Sequence, residues 1–77
     1  MTQREPMLTQ FVTNTLTGGG RVVHTRDGYT LYDRDNNQIL TGVSPEIHAL
    51  RDRGRVYVVS EQTATRNRPY IRVFAAA

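Results

Sequence analysis

The chain has 77 residues, no cysteine and a net charge of +3. It is long enough for one small domain that buries only about 60% of its unfolded surface, and without cysteine it holds neither a disulfide nor a thiolate metal site. Thr9, Gln10, Thr13, Asn14 and Thr15 break up the apolar residues near the start, and no stretch approaches the roughly 20 apolar residues of a membrane span, so neither a signal peptide nor an anchor is expected. Residues 1–5 are expected to be disordered. Residues 6–16 place Leu8, Phe11, Val12 and Leu16 near one helical face and read as a helix, although Thr and Val lower its intrinsic preference.

Gly18-Gly19-Gly20 then stops that helix as a cap and joint. A phosphate cradle would need a preceding strand, a following helix and a Lys, and the sequence supplies none of them. Arg21-Val22-Val23-His24-Thr25 and Tyr29-Thr30-Leu31-Tyr32-Asp33 are β-rich runs on either side of Asp27-Gly28. A type I′ turn centred on Asp27-Gly28 would place Arg26 opposite Tyr29 and His24 opposite Leu31, with His24 and Leu31 on one face. Asp33-Arg34-Asp35-Asn36-Asn37 opens like a calcium loop, but Gln38 stands where the loop needs glycine and Ser44 where it needs a bidentate Glu. Asp and Asn favour turns by bonding their own backbone, so a turn is expected there. Gln38-Ile39-Leu40-Thr41-Gly42-Val43 follows as a third strand.

Ser44 is the expected N-cap of a second helix, with Pro45 at its first position, Ile47 and Leu50 on one face and Gly54 ending it. Arg55-Val56-Tyr57-Val58-Val59 reads as a strand, residues 61–69 as a polar loop carrying Arg66 and Arg68, and Tyr70-Ile71-Arg72-Val73-Phe74 as the returning strand, with residues 75–77 as a frayed end. The expected class is α+β, a single domain with two helices and four to five antiparallel strands. A core this thin favours self-association or docking onto a larger partner.

Every basic residue is Arg, a bias that GC-rich codon usage explains without any selection for guanidinium chemistry. The distribution of charge says more. Residues 1–43 hold four Arg and four acids, whereas residues 44–77 hold six Arg and three acids, so the whole excess lies on the second helix and last hairpin. A helix leading into a basic-tipped hairpin is the layout of a winged helix, in which the helix enters a groove and the wing touches phosphates. In that reading Arg66, Asn67 and Arg68 in the wing and His48 and Arg51 on the helix contact DNA, while Thr63 and Thr65 add hydrogen bonds to phosphates.

The alternative surface is the last hairpin itself. By strand alternation Ile71 and Val73 point to one side and Tyr70, Arg72 and Phe74 to the other, and Val56 and Val58 oppose Tyr57 and Val59. Tyr57, Tyr70 and Phe74 around Arg72 would form a patch that is either buried, an interface for a protein, or a platform for unpaired bases. Ser44 and His48 lie one helical turn apart, but Ser44 is committed as a cap and no orienting acid or oxyanion loop accompanies them, so catalysis is not expected. His24 and His48 have no third ligand at a fixed spacing, so no metal and no cofactor is expected.

Gly18-Gly19-Gly20-Arg21-Val22-Val23, Asp27-Gly28-Tyr29-Thr30-Leu31, Val43-Ser44-Pro45-Glu46-Ile47 and Ala49-Leu50-Arg51-Asp52-Arg53-Gly54-Arg55-Val56 together resemble the small winged-helix-like accessory proteins of bacteriophages and mobile elements from GC-rich bacteria. The resemblance covers about half the chain and implies a non-enzymatic DNA-binding or regulatory protein of the host cytoplasm. It also implies the rival function of such proteins, which is to bind and inhibit or redirect a host protein.

Overall fold

The computed structural model describes residues 4–77, with side chains from Leu8 onward. Helices α1 (Arg4–Thr17) and α2 (Ser44–Asp52) lie on one face of an antiparallel sheet of five strands: β1 (Arg21–Thr25), β2 (Gly28–Tyr32), β3 (Gln38–Thr41), β4 (Val56–Gln62) and β5 (Ile71–Ala76). The strand order is β3-β2-β1-β5-β4. This is the expected α+β class, and β5 is an interior strand between β1 and β4, so the basic-tipped hairpin belongs to the main sheet. Among the described residues no helix is long and apolar enough to cross a membrane.

The core lies between sheet and helices. Val12 and Leu16 of α1 and Ile47 and Leu50 of α2 close over Val22, Tyr29, Leu31, Val56 and Phe74 of the sheet, with Val43 buried at the entrance to α2. Removing each such side chain from water contributes about 1.5–3 kcal/mol, so this single layer carries most of the apolar stabilisation. Phe11, expected inside with Val12 and Leu16, is instead 45% exposed. The stripe that meets the sheet is the i, i+4 pair Val12 and Leu16, and Phe11 sits about 100° around the helix from Val12.

Several local expectations are corrected. α1 begins at Arg4, and residues 1–3 of the segment expected to be disordered lie outside the described residues. At the far end β5 continues to Ala76, and the Ala77 N–H donates to the Arg55 carbonyl at 2.9 Å. Ser44 is not the N-cap. Val43 occupies that position with no side-chain cap bond, because its side chain is drawn fully into the core and carries the helix start with it. Gly54, with φ +69°, does end α2: the Gly54 and Arg55 N–H groups donate to the Arg51 and Leu50 carbonyls.

The first hairpin is registered two residues away from the expected pairing. His24 stands opposite Tyr29 and Val22 opposite Leu31, with Arg26 and Asp27 at the tip. A type I′ turn requires positive φ at both central residues. Here Asp27 is not left-handed, and Gly28 alone takes φ +120°, the pattern of a turn closed by a single left-handed glycine. A slip of two preserves the pleat, so His24 and Leu31 still share a face.

The expected alternation of β5 holds, with Arg72 and Phe74 on one side and Ile71 and Val73 on the other, but Tyr57 does not share the Phe74 side. Val58 and Val22 both stand opposite Phe74, which puts Phe74 under the helices with Val56 and Val58, and leaves Tyr57 and its partner Ala75 on the open face with Val73 and Ile71. Both faces of β5 are apolar, so alternation alone cannot orient it, and the larger Phe74 ring takes the covered side.

Candidate nucleic-acid interface

β1, β2 and β5 run past the part of the sheet that the core residues of α1 and α2 cover. There His24 follows Val22 by two on β1, and Arg72 precedes Phe74 by two on β5, so both stay on the helix side. His24 stacks face to face on Tyr29, with centroids 3.9 Å apart and planes 3° from parallel. Tyr70, one residue before β5, meets His24 edge-on at 5.2 Å, and its hydroxyl lies 3.3 Å from His24 Nδ1. From α2, His48 meets Tyr29 edge-on at 5.6 Å. Four rings from four elements therefore form a continuous shelf, Tyr70 to His24 to Tyr29 to His48, with Phe74 beneath at 6.1 Å from Tyr29.

Two guanidinium groups rest on this shelf. Arg51 lies over the Phe74 ring at 5.4 Å and Arg72 over the Tyr70 ring at 5.6 Å, placements in which the ring quadrupole attracts the cation. Glu61, opposite Arg72 in the β4–β5 register, accepts from Arg72 Nε at 2.9 Å and from Nη2 at 2.6 Å. That ion pair is the one found among the described residues, so Arg51, Arg66 and Arg68 carry no carboxylate partner. Burial, then the Arg72 cation, then His48 hold the His24 imidazole below its ordinary pKa, which favours its neutral form.

Arg66, Asn67 and Arg68 are all exposed on the loop between β4 and β5. The loop has a defined shape: Thr65 and Arg68 bond through backbone and hydroxyl at 2.9 and 3.1 Å, and Gln62 Nε2 donates to the Pro69 carbonyl at 2.7 Å. It delivers the chain directly into Tyr70 and Arg72. On α2, His48 and Arg51 point outward and are exposed, while Glu46, Ile47 and Leu50 of the same helix are buried. The expected helix and loop residues are thus all accessible, and His48 and Arg51 join the ring shelf.

The expected protein-binding patch is not one surface. Tyr57 is 52% exposed on the face away from the helices, Phe74 is fully buried, and Tyr70 and Arg72 belong to the shelf. His24 and Tyr29 were not expected at the site. The signal for them was present in alternation, since His24 shares a face with Val22, and Tyr29 with Leu31, whichever even register the hairpin adopts.

A groove of about 670 Å³ lies elsewhere, between α1 and α2, lined by Thr9, Gln10, Thr13, Ala49, Leu50, Arg53 and Arg55. Its two arginines sit at and beyond the C-terminal end of α2, where the helix dipole by itself favours cations. In the turn after β2, Asp33 Oδ1 accepts from the Asp35 and Asn37 N–H groups at 2.9 and 2.8 Å, and these oxygens serve the backbone as expected for an Asx turn. Among the described residues no three metal-ligating side chains come together. No family model, curated protein or solved structure matches this chain.

Proposed function

We propose that the chain is a small non-enzymatic DNA-binding module, of the regulatory kind, that meets phosphates with the β4–β5 loop and the outward side of α2. The observation that carries this reading is the placement of uncommitted cations: Arg51, Arg66 and Arg68, like Arg53 and Arg55, are exposed without an acidic partner among the described residues, on the half of the chain that holds all of the excess positive charge. Exposed arginines without partners are free to replace counterions on a phosphate backbone, and their planar forks match phosphate oxygens. His48 beside Arg51 and Asn67 between Arg66 and Arg68 add hydrogen-bond donors at the same places.

The test is DNA binding by wild type and by an Arg66→Ala/Arg68→Ala variant across a salt series. The reading expects weakened binding that is roughly equal for all sequences, with a salt dependence flattened by about two phosphate contacts. Unchanged affinity and slope would remove the loop from the interface.

A protein partner is the second reading, and exposed Tyr57 is what favours it, because half-exposed tyrosines often anchor interfaces. It would use the opposite face of the sheet, so Tyr57→Ala would abolish capture of that partner and leave DNA affinity unchanged.

A further inference from the structure

We propose that the nucleic acid this chain recognises is single-stranded, with an unpaired base seated against Tyr70, His24 and His48, the accessible rings of the shelf above buried Tyr29; the inference rests on the DNA-binding reading above. The shelf is an unusual use of side chains for a chain with so little core. Four rings, two imidazoles among them, and two ring-resting guanidinium groups converge from β1, β2, β5 and α2. Tyr29 and Phe74 form its buried floor, Tyr70 and His24 are half-buried, and His48 and Arg51 are exposed at its rim.

The chemistry of that rim matches a free nucleobase. An unpaired base offers a flat π-face and an edge of donors and acceptors, which aromatic, imidazole and guanidinium planes can stack upon and hydrogen-bond. In a duplex the same faces are stacked inside the helix, leaving phosphates and groove edges. A major groove is read by a helix whose N-terminal residues reach base edges. α2 has nine residues and is pinned to the sheet by buried Glu46, Ile47 and Leu50, so only a narrow outward strip remains. That strip ends on the rings. The loop carrying Arg66 and Arg68 leads straight into Tyr70, so phosphates held by the loop would be followed along the strand by a base at the shelf.

The experiment measures fluorescence anisotropy of labelled oligo(dT) and oligo(U) of about 12 nucleotides, and of a mixed-sequence duplex of the same length, with the full chain. The proteins are wild type, His48→Ala, Tyr70→Leu and the Arg66→Ala/Arg68→Ala variant. His48 is exposed, so its removal spares the fold, and circular dichroism checks Tyr70→Leu. The inference expects a single strand to bind about ten-fold or more tightly than duplex, with the dT and U arms separating DNA from RNA. Both ring variants should lose about five-fold or more for the strand, as removal of one stacking contact does, and Tyr70→Leu should lose nothing for the duplex. Equal binding of strand and duplex, or strand binding untouched in both ring variants, overturns the inference. In that case dependence on Arg66 and Arg68 keeps the DNA-binding reading alive, whereas absence of binding to every probe removes both.

Discussion

His24 lies at the centre of the ring shelf, stacked on Tyr29, edged by Tyr70 and flanked by Arg72, and its burial, Arg72 and His48 together depress its pKa. A histidine held neutral in the folded state while the unfolded chain takes up a proton near pH 6.5 makes folding less favourable as pH falls. The contribution is absent above that range, grows as pH drops through the unfolded value and levels off below the lowered folded one. Thermal melting of wild type between pH 7.5 and about 5 should therefore lose more stability than His24→Gln does over the same interval, and parallel curves would contradict the placement of His24. The residue was legible in part. Its strand and its face follow from the alternation Val22-x-His24, but its partner depends on the turn, and a turn with one left-handed glycine in place of two left-handed residues moves Tyr29 opposite it. Arg51, by contrast, was singled out from charge alone, and what charge could not show is that it rests on the ring of Phe74.

Elements were easier to read than their orientations. Both helices, all five strands and the Asx turn follow from cap residues, glycines and β-rich runs, yet the two sides of β5 are both apolar and the periodicity of α1 admits more than one stripe. Only packing chooses, and it buries Phe74 and leaves Phe11 outside. The two phenylalanines should accordingly separate in urea unfolding. Phe74→Ala should cost about 3–5 kcal/mol, a large part of the total for a domain this small, while Phe11→Ala should stay within about 0.5 kcal/mol. Similar losses at both sites would reverse the account of which faces meet. The joint between α1 and β1 is a sharper constraint: a Cβ on Gly20 would sit 2.5 Å from the Tyr32 carbonyl oxygen and 2.8 Å from that of Thr15. Both obstacles are backbone, so neither can swing aside. Gly20→Ala should lower stability by more than about 2 kcal/mol, among the larger single-site effects for a change of one methyl, and a neutral result would contradict the closeness of helix and sheet here. The edge strands β3 and β4 each carry a register shift that leaves Ile39 and Val59 unpaired and exposed, irregularities that discourage pairing with another sheet.

Across the whole molecule, the two faces of the sheet differ in kind. One carries the helices, the core and, beyond them, a shelf of rings and arginines that continues into a basic loop; the other is open and bears Tyr57. The charge asymmetry between the halves of the chain anticipated which elements would be basic, while the joining of His24 and Tyr29 to them required the long-range pairing of β1 with β5. On the proposed function, ligand contacts fall on the helix-side shelf and its loop. The most direct measurement is a titration of isotope-labelled protein with a short oligonucleotide, followed residue by residue in NMR spectra. The account expects shifts concentrated at His24, Tyr29, His48, Arg51, Arg66, Asn67, Arg68, Tyr70 and Arg72, with Tyr57, Val73 and Ala75 unmoved. Shifts confined to the open face, or a spectrum unchanged at saturating oligonucleotide, would contradict it.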